Sequence, residues 1–532
     1  MTIGSLAPGA VSFLQSTDRM VAQRRSIDHL QQQMATGRKS QTFSGLGIDR
    51  RISLDARSKI SAMEGFRAGI VDGRQRVKLM TNALSQMNKT VTDTRGELVT
   101  QPFQPSPAGK LRVQESAMQR LSLAIDLLNT DHNGRYLFSG LAQDTRPVEN
   151  AKFLIDGGDG FPGLRALARE RAEAELGVNL SSSEKSMGRL EINQQVAEGD
   201  PGESLAIVDF GQQHGVGFGF TLDRESVSIE ADSRIDADFD SENNSWSFEI
   251  RENLQPGDSI KIAMSDRFGG NENYEYTFEL MAADEVTKPG EFLIGADEVE
   301  TAANMMHAMK TAVSNLAHGA LAPRAQAHAI EQYFENPAEF RRPSFDPEDD
   351  DLPNAAWNAS ELNAIDPDLA PWYKGDVQVE GDTTPEGLSA RATATLRIDD
   401  NQVVGIGARA NETPFRDMLV AFSQLEILRF ENTPEGKQAF EDLADRNADR
   451  LNFAPGSGLQ AIGHQIASAE VAMRDADERH KVGVNMLMDM VDGVEEISKE
   501  EVAARILATQ NRLEASYQTT AMLSRLTLLN YL

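Results

Sequence analysis

Residues 63–98 of this 532-residue chain read MEGFRAGIVDGRQRVKLMTNALSQMNKTVTDTRGEL, and this stretch decides the fold. An apolar side chain recurs at every seventh position, namely at Met63, Ile70, Val77, Leu84, Val91 and Leu98. Further apolar residues fill most of the alternate positions: Phe66, Met80 and Met87. A period of seven gives a helix one seam at about 3.5 residues per turn, as in a left-handed coiled coil. The stretch therefore predicts a long helix whose seam packs in a helical stem.

Both ends of the chain carry weaker helical stripes. Toward the C-terminus the stripe alternates steps of four and three through Val502, Ile506, Thr509, Leu513, Ser516, Thr520 and Leu523. The N-terminal arm is sparse, with Val21, Ile27, Leu30 and Met34 around a run of glutamines. Small or polar seam residues bury little apolar area, so neither arm should be stable alone. We expect the arms, residues 1–40 and 500–532, to pair with each other.

Charge separates the centre from the ends. The formal net charge is −30, but residues 1–150 carry +7, residues 151–460 carry −33 and residues 461–532 carry −4. A strongly acidic body is repelled by nucleic acid and by anionic membranes. The sequence therefore predicts a protein that binds neither, with ends of opposite charge that can meet.

The centre follows a β-strand pattern. Apolar and polar residues alternate over Ser226–Glu230, Trp246–Ile250 and Ser259–Met264, as in half-buried strands. Residues 392–398 and 402–407 flank an Asx-rich turn and predict a hairpin. One helix is predicted near residues 299–316, and Thr-Pro pairs at Thr413 and Thr433 predict helix starts.

The predicted fold is α+β and elongated. Residues 41–145 and 413–499 form the helical stem, the arms extend from it, and residues 146–412 form an inserted, acidic, β-rich domain. We expect this inserted domain to fold by itself.

The sequence contains no recognisable catalytic constellation. There is no cysteine, so disulfides, Cys-based zinc sites and a Cys nucleophile are excluded. The eight histidines show no metal-ligand spacing, and no nucleophile elbow or Walker motif is present. We expect no enzyme activity, no cofactor and no metal.

Two local matches to ligand-binding motifs are better explained as loops. Gly158–Gly163 fits G-x-G-x-x-G, but Pro162 stands where a dinucleotide-binding helix would donate its amides. Asp238, Asp240 and Glu242 resemble the start of a calcium loop, but Asn243 replaces the required glycine.

No segment approaches the roughly 18 apolar residues of a membrane span. The first basic residue is Arg19, so we also expect no secretory signal peptide.

The ends of the chain resemble the flagellin superfamily. The resemblance lies in Arg25–Ser44, especially Ala35–Lys39, and in the closing stretch Leu513–Leu532. Residues 133–140, NGRYLFSG, resemble the G-x-YLFxG element of the hook–filament junction family, the type-3 hook-associated proteins; its matching residues are Gly134, Tyr136, Leu137, Phe138 and Gly140. The hairpin Leu396–Gly407 followed by Ala410-Asn411-Glu412 resembles the same family.

The resemblance implies a secreted structural subunit of the bacterial flagellum at the hook–filament junction, exported by the flagellar type III route. It implies contacts with neighbouring copies, with an adjacent hook-associated protein and with flagellin. An export chaperone would bind the C-terminal helix, whose implied assembly residues are Val502, Ile506, Leu513, Leu523, Leu526, Leu528 and Leu529. The alternatives are a filament flagellin of the same superfamily or a coiled-coil adhesive protein with a sugar-binding β-domain.

Overall fold

The structure is a computed structural model. It describes residues 8–529 except 108, 159, 179, 181–184, 197–202, 210, 212–216, 231–233, 253, 269–273, 336–339, 344–361, 365–371, 377–388 and 455. The fold is mixed α+β, as the sequence predicts, with long terminal helices and central sheets.

The helices are α1 (Pro8–Thr36), α2 (Arg50–Thr100), α3 (Arg112–Glu115), α4 (Ala117–Leu128), α5 (Ala151–Asp156), α6 (Leu164–Leu176), α7 (Glu298–Leu316), α8 (Ala322–Glu335), α9 (Thr413–Ile427), α10 (Pro434–Arg450), α11 (Leu459–Glu495) and α12 (Lys499–Leu529). A π-helical turn, Ala317–Leu321, joins α7 to α8. At α10 the Thr-Pro pair marks the start of the helix: Thr433 is the N-cap residue, and its side chain accepts a hydrogen bond from the Gly436 amide.

The strands are β1 (Asp131–His132), β2 (Arg135–Tyr136), β3 (Leu190–Val196), β4 (Glu203–Asp209), β5 (Val227–Glu230), β6 (Ile235–Asp240), β7 (Ser245–Ile250), β8 (Ser259–Ser265), β9 (Glu275–Ala283), β10 (Glu291–Leu293), β11 (Arg341–Pro343), β12 (Leu362–Ala364), β13 (Thr395–Asp399) and β14 (Gln402–Gly405). Two four-stranded sheets have the orders β3-β4-β7-β6 and β10-β9-β8-β5. The three predicted strands correspond to β5, β7 and β8. The predicted hairpin is shorter than expected, because Ala390–Thr393 forms a 3-10 turn.

The chain divides into two compact units. The first contains residues 1–75, 396–404 and 469–532, and the second contains residues 76–395 and 405–468. In the first unit α1 contacts α12. There the early part of α2 also lies against the late part of α11: Phe66 stacks on His480 with ring centroids 5.5 Å apart, and Arg67 Nε donates to Asp477 Oδ1 at 2.8 Å.

The two large sheets of the second unit share an extensive apolar core. The two sheets meet α7 through buried side chains, among them Leu205, Phe248, Ile260, Leu280 and Met309. The strand register places these residues on the inner faces, since Leu205 pairs with Phe248 and Ile260 pairs with Leu280 across the ladders.

The expectation of a single helix in the inserted region is wrong. That region also contains α5, α6 and α8. In helix α6 the buried apolar residues Leu164, Leu167, Ala168, Ala172 and Leu176 share the buried face with charged ones. Arg171 and Glu175 are both buried and form an ion pair, with Arg171 Nη2 2.7 Å from Glu175 Oε1. Charged residues on the buried face weaken the hydrophobic periodicity that a sequence shows.

Candidate assembly site

The paired arms form a thin seam in the first unit. On α1 the most buried side chains are Ile27 and Leu30, and on α12 the most buried is Val502. The other described stripe positions of α12 are only half-buried, and they are Ile506, Thr509, Leu513, Ser516 and Thr520. The pair therefore encloses little apolar surface of its own.

The N-terminal arm does not use all the residues that the sequence suggested. Val21 and Met34 are exposed, while Gln23 and Gln33 are half-buried. Gln33, near the end of α1, is partly buried because its side chain makes a hydrogen bond: Nε2 donates to the Lys39 carbonyl at 2.6 Å. A glutamine thus takes the inward position next to the point where α1 ends.

Three exposed apolar side chains lie on α12 outside its stripe: Leu507, Tyr517 and Met522. The side chains of Leu523, Leu526, Leu528 and Leu529 lie outside the described residues.

The Ala35–Lys39 segment lies against the turn between α11 and α12. Gly37, at φ +68°, reverses the chain there. Ile497 N–H then donates to the Gly37 carbonyl at 3.0 Å, and Lys39 N–H donates to the Glu495 carbonyl at 2.7 Å. Lys39 Nζ also donates to the last carbonyls of α11, those of Gly493 and Val494, at 3.0 and 2.9 Å. A cation there favours the helix end.

A buried carboxylate joins the same turn to α2. Glu495 accepts two hydrogen bonds from Arg57, from Nε at 2.9 Å and from Nη2 at 2.7 Å, and one from the hydroxyl of Ser53. The Arg57 guanidinium holds the pKa of Glu495 at about 2. Nothing in the sequence alone connects these residues, which lie more than 400 positions apart.

We expect Glu495 to make the first unit sensitive to acid. Because folding depresses its pKa from about 4.3, its contribution is fully present above that value and is lost as pH falls toward about 2. Arg57 is nearly half exposed, so solvent screening leaves about 1–2 kcal/mol. Glu495→Gln should lower urea-unfolding stability at pH 7 by that amount and remove the corresponding loss in acid.

The matched control is Glu496→Gln, one position along. It should change stability at neither pH. An equal acid response in the Glu495→Gln variant and the unmodified chain would contradict this role for Glu495.

The stem seam lies along α2. Met63 is half-buried, whereas Ile70, Val77, Leu84, Val91 and Leu98 are all buried. The polar member Thr94 is buried too. Its hydroxyl accepts a hydrogen bond from Arg120 Nη1 of α4 at 2.9 Å, within the second unit.

The Gly134–Gly140 element forms a clasp, defined here as residues 137–140, 373–376 and 408–410. Gly140 N–H donates to the Ala408 carbonyl at 3.0 Å, and Ala410 N–H donates to the Phe138 carbonyl at 2.8 Å. Asp376 N–H donates to the Ser139 carbonyl at 3.1 Å. The clasp therefore joins three segments that are far apart in sequence.

Side chains complete the clasp. Leu137 and Phe138 are buried, and Phe138 meets Phe415 edge-on with centroids 5.5 Å apart. The Asp376 carboxylate accepts hydrogen bonds from Tyr373 at 2.8 Å and from Arg409 Nε at 3.0 Å. Tyr136 is half-buried and Gly134 is exposed. The apolar part of the element thus belongs to the buried interior of the second unit.

Residues 11–143 match the family model of the bacterial flagellin N-terminal helical region. The match supports a flagellin-family protein. The matched residues cover most of α1, all of α2, α3 and α4, the hairpin β1–β2 and the first segment of the clasp. The search of curated proteins found no match to the chain.

Flagellins are structural, non-catalytic proteins, which agrees with the prediction that this chain is not an enzyme. In this flagellin-like chain the fully buried carboxylate of Glu175 has structural partners: Arg171, and the Gly219 amide at 2.6 Å. Burial raises its pKa. Within the part of the chain that the structure describes, no three His, Asp or Glu side chains are grouped as metal ligands would be. No helix of those ranges has an apolar stretch long enough to cross a bilayer.

The two glycines of the family-like element allow a matched test of the clasp. Both have positive φ, +77° at Gly134 and +65° at Gly140. A Cβ on Gly134 would meet open space, whereas a Cβ on Gly140 would overlap the Asp376 carboxylate. Moving Asp376 would break its bonds to Tyr373 and Arg409.

Gly134→Ala should therefore cost only the conformational strain, about 1 kcal/mol. Gly140→Ala should cost about 3 kcal/mol, because strain adds to the lost charge-assisted bonds. Equilibrium unfolding of both variants is the measurement, and equal losses would show that the clasp does not depend on Asp376.

Proposed function

We propose that the chain is a structural subunit of the bacterial flagellum that joins hook to filament. The match of residues 11–143 to the flagellin N-terminal helical region carries the flagellar part of this proposal. Self-assembly with neighbouring copies is what the similarity to that family implies.

The arms supply the physical reason for assembly. Fixing a residue's backbone costs about 1–2 kcal/mol, and apolar burial must offset that cost. Ile27, Leu30 and Val502 are the only side chains of α1 and α12 that are buried among those described. The arms also expose Val21, Met34 and Leu507 on their outer faces. Neighbouring subunits that cover these faces would supply the missing burial.

The clasp supports the junction role. The stretch that resembles the junction-family element includes Leu137, Phe138 and Gly140. Backbone hydrogen bonds of Phe138 and Gly140 connect this stretch, before the proposed inserted region, to Ala408–Ala410, where the chain returns from that region. The competing candidate is a filament flagellin, which the flagellin family model itself favours.

The partners follow from this proposal. Before export, a cytoplasmic chaperone would cover the C-terminal helix; afterwards the partners are copies of the chain, an adjacent hook-associated protein and flagellin. The inserted acidic region, whose two sheets form their own core, would take no part in pairing the arms.

Immunogold labelling of intact flagella tests the assignment, with cells that lack the protein as the control for antibody specificity. A single gold band at the end of the hook is the expected result. Labelling along the filament would replace the junction role by the filament role, and flagella without label would overturn the flagellar proposal.

A further inference from the structure

The exposed tip of the hairpin β1–β2 carries the one Asn-Gly pair of the whole sequence, Asn133-Gly134. The two strands pair only through Asp131 with Tyr136 and His132 with Arg135. Both tip residues have positive φ, +54° and +77°, as a tight hairpin turn requires. Glycine leaves the backbone nitrogen after Asn133 without a neighbouring side chain to shield it.

Two titratable groups contact the atoms that would react in this pair. The Gly134 N–H donates to Asp131 Oδ2 at 3.1 Å. The side-chain nitrogen of Asn133, Nδ2, lies 3.0 Å from His132 Nε2. A proton acceptor thus faces the nucleophilic nitrogen, and an imidazole faces the nitrogen that would leave.

We propose that Asn133 is a self-modifying site that deamidates through a succinimide. The Gly134 nitrogen forms a bond to Asn133 Cγ, and its proton passes to the Asp131 carboxylate. His132 Nε2 accepts a hydrogen bond from the Nδ2 amide group and orients it, since an amide nitrogen can only donate. The bond between Cγ and Nδ2 breaks, and the nitrogen departs as ammonia after taking a proton from solvent, to which Asp131 returns the proton that it received. Water then opens the cyclic succinimide at either carbonyl, leaving aspartate or isoaspartate at position 133.

Asn244 provides the contrast within the same chain. It too has positive φ, +49°, and a small residue, Ser245, follows it. Its Nδ2, however, donates to Asp209 Oδ2 at 3.0 Å and to the Leu222 carbonyl at 2.8 Å. These bonds hold the amide away from the attack geometry, and a side chain on residue 245 crowds the nucleophile.

The product changes a limited region. A new carboxylate beside Asp131 makes the tip more acidic, and isoaspartate adds a methylene to the backbone of a hairpin that has only two residue pairs. Phe138 and the clasp follow a few residues later and stay packed. The reaction would therefore change the charge and the backbone of the exposed tip without unfolding the chain.

The experiment incubates the purified full-length chain in neutral buffer and follows each asparagine by peptide mapping with mass spectrometry. Conversion at Asn133 should exceed conversion at Asn244 many-fold. It should also be faster in the folded chain than in the same chain held in urea, because only the folded hairpin positions Asp131 and His132. An unmodified Asn133, or a faster reaction in urea, would overturn the proposal.

Two variants test the assisting groups. Asp131→Asn and His132→Gln should each slow the reaction several-fold in the folded chain and leave the rate in urea unchanged. An unchanged or increased folded rate in both variants would show that these side chains do not assist. Circular dichroism melting of each variant, expected to equal that of the unmodified chain, verifies that the comparison is between folded proteins.

Discussion

Removal of residues 513–532 is expected to abolish assembly and to leave the rest of the chain folded. The described side chains of the deleted stretch include Leu513 and the half-buried polar positions Ser516 and Thr520, which bury little apolar surface in the monomer. The sequence of this stretch nevertheless holds six leucines, at 513, 523, 526, 528, 529 and 532. Apolar side chains are stabilising only when other residues or a partner cover them.

The truncated chain should therefore lose chaperone binding and incorporation into flagella together, and cells that produce it should not swim. Thermal unfolding of the sheets of the second unit, followed by circular dichroism, should stay nearly unchanged. Normal swimming of a deletion strain that carries the truncated chain would refute the assembly role of this helix.

Val91→Asp is expected to cause a large loss of stability. Val91 belongs to the heptad seam and is 3% exposed. An unpaired carboxylate there must either be buried or break the packing, which costs about 3 kcal/mol or more. Equilibrium unfolding in urea measures the effect.

The same helix offers a control of the same chemistry. Val99 lies eight residues later and is 68% exposed. Val99→Asp should change stability by less than about 1 kcal/mol, including the small penalty of an anion near a helix C-terminus. Similar losses in both variants would mean that the seam does not stabilise the protein.

Periodicity in the sequence was sufficient to locate α2 and α12 and their inner faces. Val77, Leu84 and Val91 repeat every seven residues, and all are buried. The stripe of α12 likewise follows the alternating steps of four and three, from buried Val502 through half-buried Thr509. This information is local, because it depends only on the pitch of a helix.

Other features gave weak or no signals because their stabilising partners are distant in sequence. Gly73 and Thr94 interrupt the apolar seam, yet both are buried. Because Gly73 has no side chain, Leu396 of the hairpin can pack against it. The Thr94 hydroxyl accepts a hydrogen bond from Arg120. Helix α6 was not predicted, because the buried ion pair of Arg171 and Glu175 interrupts its short apolar stripe.

Some properties of the candidate site can likewise be read from the sequence, whereas others depend on the tertiary structure. The sequence by itself determined that the two arms are amphipathic and poor in apolar surface, since side-chain type and helical spacing decide both properties. Only the tertiary structure decided that Glu495 meets Arg57 and that Gly140 lies against Asp376. Those contacts join segments hundreds of residues apart, and each depends on where the packed helices and clasp place a polar group rather than on any local pattern. A carboxylate and a guanidinium gain specific partners only when burial removes competing water, and burial is a property of the whole fold.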